Sequence, residues 1–87
     1  MIKATYTTNV LVDAGWRSVE ITAMLTQVSK GMAEVVEVIA IDGKEPRGYH
    51  SRTGATRQQY NAGFLANREV GKRKRLSAVE VLDEVEA

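Results

Sequence analysis

Residues 71–87 read GKRKRLSAVEVLDEVEA, and the conformation of this stretch decides the fold. Four consecutive cations, Lys72, Arg73, Lys74 and Arg75, run into twelve residues that hold four acids and no base. Ser77 followed by Glu80 fits a capping box, in which the hydroxyl accepts from a backbone N–H in the first helical turn and the acid reaches back to the cap residue. Leu76 and Val81 stand at the hydrophobic-staple positions, and Ala78, Val81, Leu82 and Val85 recur at helical spacing. These signals predict a basic connector over 72–76 and an acidic amphipathic helix over 77–87. A helix of only about ten residues is marginal in water, so it needs a surface to dock on.

The preceding segments supply that surface. Thr56 and Gln59 form another capping box, which opens a longer helix predicted over 56–71 with Gly71 as its C-terminal stop. Ala55, Gln59, Ala62, Ala66 and Val70 share its small-residue face, while Arg57, Asn61, Phe64, Arg68 and Lys72 form a stripe pointing away. Residues 43–55 read as a long loop, glycine-rich and carrying the one proline, and loops of that length are commonly functional. Residues 1–42 read as a three-stranded antiparallel β-meander rich in Val, Ile, Thr and aromatics. VDAGW (12–16) and VSKGM (28–32) each look like a three-residue hairpin loop ending in a left-handed glycine.

In that register one sheet face gathers Val19, Ile21, Ala23, Leu25, Val35, Ile39 and Ile41 as the core, interrupted by Glu37. The other gathers Ile2, Tyr6, Val10, Val12, Trp16, Met24, Val36 and Val38 among polar residues. Tyr6, Trp16, Met24, Val36 and Val38 are therefore candidates for a dimer or partner face, or for a surface beneath the last helix. The expected fold is a single α+β domain over 1–87: the meander, one longer helix and a short C-terminal helix.

A net charge of +1 conceals three blocks. Residues 1–43 carry three bases and five acids, residues 44–75 nine bases and two acids, and residues 76–87 four acids alone, giving −2, +7 and −4. Such segregation patterns a surface for partner choice. At 87 residues the chain buries only about 60% of its unfolded surface. With no cysteine, neither a disulfide nor a thiolate metal site can supplement that core. Association with a partner, a homodimer included, is the remaining supplement. The alternating start MIKATY does not read as a secretion signal, and no apolar run approaches the ~20 residues of a membrane span. A cytoplasmic setting is the expectation.

Catalysis finds little support. His50, the lone histidine, lies beside Ser51 with no orienting acid near in sequence but Glu45, so no triad is spaced to form. Gly48 and Gly54 are not followed by the Gly-Lys-Ser/Thr of a phosphate loop. No metal or cofactor site is expected. The basic segment carries the strongest signal: Arg47, Arg52, Arg57, Arg68 and the 72–75 cluster favour arginine, which grips phosphate and carboxylate bidentately. Tyr49, Tyr60 and Phe64 are interleaved among them and, if exposed, can stack on a base or ribose. The candidate contact residues are thus Arg47, Tyr49, Arg52, Arg57, Asn61, Arg68, Lys72, Arg73, Lys74 and Arg75. The acidic tail beside them would repel a nucleic-acid backbone, which favours a protein or nucleoprotein partner of mixed charge over nucleic acid alone.

With GYHSRTGATRQQY at its centre and GKRKRLSAVEVL near its end, the chain resembles in overall build the small phage-encoded anti-CRISPR inhibitors. The shared features are size, absence of cysteine and a meander followed by helices. The resemblance implies steric blocking of a CRISPR effector near its guide or DNA channel. The +7 block departs from the acidic nucleic-acid mimics among those inhibitors. The build is also similar to three-stranded-sheet-plus-helix DNA-binding modules of integrases, so direct DNA or RNA binding is the alternative. A homodimeric structural or assembly protein is the third reading.

Overall fold

The computed structural model describes residues 1–12, 15–46 and 62–84. The elements are β1 (Ile2–Val12), β2 (Gly15–Ser29), β3 (Met32–Ile41), α1 (Ala62–Glu69), β4 (Arg73–Arg75) and β5 (Glu80–Glu84), with a single 3-10 turn at Leu76–Ala78. All five strands belong to one antiparallel sheet in the order β4-β3-β2-β1-β5. The expected meander is present, but the sheet continues on both sides of it.

The predicted 72–76 connector and 77–87 helix are both overturned. Arg73–Arg75 pair with Glu34–Met32 along the outer side of β3, and Glu80–Glu84 pair with Thr5–Ile2 along β1. Ser77 caps nothing: the 3-10 turn follows Arg75 in extended conformation without a side-chain cap, and Val79 returns the chain to extended geometry. Valines at 79 and 81 stiffen χ1 and lower helix propensity. The deciding term is long-range, because strand pairing satisfies the backbone along a whole edge whereas a lone short helix must nucleate first. The 56–71 helix is described only as the eight residues Ala62–Glu69. Its expected start, together with residues 47–55 of the 43–55 loop, lies outside the described residues. Gly71 (φ +91°) does turn the chain out of the helix, donating its N–H to Val35 O at 2.8 Å.

The hairpins carry a second correction. Val12 pairs with Gly15 and Ser29 with Met32, so each connection counts two residues instead of three. A slip of one residue sends every side chain of a strand to the opposite face. Tyr6 thereby pairs with Ile21 and Ala4 with Ala23, and β1 joins the core face. In β3, register shifts leave Val36 and Ile39 as extra residues. They break the strict alternation so that Val35, Val38 and Ile41 are buried while Glu37 is exposed. The polar interruption expected at Glu37 disappears.

The core consists of Ala4, Tyr6 and Val10 from β1, Val19, Ile21, Ala23 and Leu25 from β2, Ala33, Val35, Val38 and Ile41 from β3, and Leu65 from α1. Leu76 and Val79 pack against it from the turn between β4 and β5. A flat five-stranded sheet would set its edge strands about 19 Å apart, at about 4.8 Å per neighbour. Four residues, three of them in the 3-10 turn, join β4 to β5. At about 2 Å of rise per 3-10 residue they cannot span that width. The sheet therefore curls towards a half-open barrel around the core, its bend helped by the length of β2 and the bulges in β3. Asp42 closes the end of β3: its Oδ1 accepts the Glu20 N–H at 2.9 Å and its own N–H donates to Glu20 O at 2.8 Å. Its φ of 52° is one that aspartate tolerates better than most residues.

Candidate functional site

The basic run 72–75 is divided by the alternation of a strand. Gly71 swings the chain back so that Lys72 reaches the end of α1, where its Nζ donates to Glu69 Oε2 at 2.6 Å. Two residues later Lys74 turns to the same carboxylate, with Nζ 3.9 Å from Glu69 Oε1 and 4.5 Å from the centroid of the Tyr6 ring, a cation–π distance. Arg68 Nε lies 3.6 Å from Glu69 Oε2. The Tyr6 hydroxyl donates to Glu69 Oε1 at 3.0 Å. One fully buried carboxylate thus gathers three cations and a phenol.

Opposing effects act on this carboxyl. Burial pushes it up, while the hydrogen bonds from Lys72 and Tyr6 and the charges of Lys72 and Lys74 pull it down. The net result holds Glu69 below the ordinary carboxylate value, so it is ionised at neutral pH. Tyr6 moves the other way: burial foremost, then the Glu69 charge and the hydrogen bond to it, push its hydroxyl well above the usual phenol value. Among the described residues no buried side-chain polar atom lacks a hydrogen-bond partner. The cluster is complete as a clamp that ties α1 and β4 to β1.

Arg73 and Arg75 fall on the other side of the alternation. Both are exposed, and Arg73 makes only a loose contact with Glu34, Nε to Oε1 at 3.9 Å. Of the ten expected contact residues, the structure therefore brings Arg68, Lys72 and Lys74 together around Glu69 and leaves Arg73 and Arg75 facing outward. Arg47, Tyr49, Arg52, Arg57 and Asn61 lie outside the described residues. Among the described residues no cluster of three or more His, Cys, Asp or Glu could hold a metal ion, and no helix is long and apolar enough to cross a membrane.

The five residues expected to share a partner face are scattered. Tyr6 and Val38 lie in the core, Met24 is half-buried, and Val36 and Trp16 are exposed, Trp16 by 73%. Trp16 sits near the tip of the β1–β2 hairpin. There β2 runs past its pairing with β3, which begins at Ile21, and β1 past its pairing with β5, which reaches Thr5. The indole thus stands exposed on an extended two-stranded ribbon.

Glu69 itself was missed by sequence reasoning, although a signal existed. It is one of only two acids in the +7 block, and it lies four residues after Leu65, on the helix face that proves to be buried. Val70, assigned to the packing face, is 47% exposed. No family model, no curated protein and no solved structure matches the chain.

Proposed function

We propose that the chain is a non-enzymatic, cytoplasmic binding protein whose partner is a protein or nucleoprotein complex, and that it blocks a nucleic-acid-handling complex sterically, as small phage-encoded anti-CRISPR inhibitors do. The observation that carries this reading is the division of the basic run. Lys72 and Lys74 are paired with the buried Glu69, the first of them still partly exposed, and of the four only Arg73 and Arg75 are exposed without contact to that carboxylate. A surface built to track a phosphate backbone gains by presenting all its cations. Two outward arginines, an acidic β5 and an exposed Trp16 suit a partner of mixed charge with an apolar pocket.

The test is binding to single-stranded DNA, duplex DNA and RNA over a salt series, beside a guide-loaded CRISPR effector assayed for target binding. Contact through Arg73 and Arg75 alone gives a log–log salt slope of about 2 or less, whereas all four cations on phosphate give about 3.6. A slope near 3.6 or steeper replaces this reading with direct nucleic-acid binding. An effector whose target binding is unchanged at saturating protein removes the inhibitor form of the proposal.

A further inference from the structure

The two edges of the sheet carry opposite charge. On the β4 side, Val35 N–H donates to Lys72 O at 2.9 Å and Leu76 N–H to Gly31 O at 2.8 Å. Residues 72, 74 and 76 therefore aim their backbone groups at β3, and alternation turns those of Arg73 and Arg75 to the open side. That edge is short, basic and flanked by the exposed Val70. On the other side, among the described residues, β5 pairs only with β1, and all five of its residues are exposed. Its acids Glu80, Asp83 and Glu84 flank Val81 and Leu82, each about half exposed.

Open strand edges template pairing with another chain unless they are blocked, and like charges are one of the usual blocks. Here like charge obstructs β4 meeting β4 and β5 meeting β5, whereas β4 meeting β5 sets bases against acids and covers apolar side chains. We propose that the occupant of each edge is a second copy of this chain, with β4 of one molecule pairing antiparallel or parallel to β5 of the next. Such a contact is heterologous: each molecule uses a different edge for each neighbour, so the assembly closes as a ring or runs on as a filament. It also supplements a core that is small for an independent domain. Assembly occupies the arginines of β4 and the acids of β5 that the proposed partner contact also uses, so the two contacts compete, and the association is read with the chain alone in solution.

Sedimentation velocity and light scattering over a wide concentration range test it, against a protomer of 9.6 kDa. The wild-type chain is expected to form species larger than the protomer, with association weakened about tenfold or more when salt rises from about 0.05 to about 0.5 M. Glu80→Lys/Glu84→Lys makes both edges basic, and Arg73→Glu/Arg75→Glu makes both acidic, so each variant alone should be monomeric. Mixed in equal amounts they should associate again, because each then offers the edge that the other lacks. Circular dichroism checks that each variant folds, and Arg75→Glu and Glu80→Lys are milder substitutes should a double variant not fold. A wild-type chain that stays monomeric throughout overturns the proposal. So does a wild-type assembly that either variant leaves intact, or a mixture that remains monomeric.

Discussion

The two edge strands of the sheet are built on different principles. β4 is only three residues long, yet it is fastened by side chains: Lys74 from within it and Lys72 just before it converge on the buried Glu69. β5 is five residues long and fully exposed, held through its backbone pairing with β1 and through Val79 at its entry. A strand anchored by a buried polar cluster has its stability concentrated in a few atoms. A strand anchored by its ladder spreads it thinly, and its side chains are left for contacts outside the chain.

Removing the acid is the hardest blow to this contrast. Glu69→Ala leaves Lys72, Lys74 and the Tyr6 hydroxyl without their common partner and is expected to cost about 3–5 kcal/mol in a urea or thermal melt. That is a large share of the roughly 5–15 kcal/mol of a typical domain. If Glu69→Ala costs no more than a surface substitution, the clamp is not what holds β4.

Acid titration probes the same anchor. The Glu69 carboxyl lies lower in the folded chain than its ordinary value of 4.5. Below that ordinary value the unfolded chain binds the proton first, so stability is full above it and is lost as pH falls towards the folded value. Glu69→Gln should flatten this loss in denaturation curves taken between neutral and acidic pH. At the alkaline end the sign reverses. The folded Tyr6 hydroxyl is raised above its ordinary value of 10.0, so stability is full below that pH and falls above it.

Tyr6→Phe keeps the ring under Lys74 but removes the hydroxyl that donates to Glu69. A hydrogen bond to a charged group contributes about 1.5–3 kcal/mol, and the variant should lose about that much together with its own part of the alkaline fall. The smallest effect belongs to β5. Leu82→Ser should change protomer stability by no more than about 0.5 kcal/mol. A loss above about 1 kcal/mol would make β5 as anchored as β4 and erase the distinction.

Legibility differed along the chain for reasons that follow from the range of the forces. The strands of 2–12, 16–28 and 32–42 were readable because β-branched density and glycine-bearing turns act locally. Seven residues were expected in the core from β2 and β3, and six of them are buried, with Ile39 displaced by its bulge. The placement of Tyr6 and Val38 was not readable, because one residue fewer in a turn and two bulges in β3 decide which face they meet. Of the candidate site, the outward arginines at 73 and 75 were in the expected set. Their separation from Lys72 and Lys74 depends on β4 being a strand.

Residues 76–84 mark the boundary most clearly. Residue order by itself determined the β-rich first half, the turn out of the helix at Gly71 and a charge pattern that changes sign at Leu76, in a chain without cysteine. Whether Glu80–Glu84 became helix or strand was settled by β1, more than seventy residues away in the chain. Capping and propensity differ between those states by about a kcal/mol or less per residue. Pairing along β1, with burial of Leu76 and Val79 at the turn, acts on the whole segment at once, and only the folded sheet provides it. The same holds for Glu69, whose ionised burial makes sense only after the chain has brought Lys72, Lys74 and Tyr6 around it.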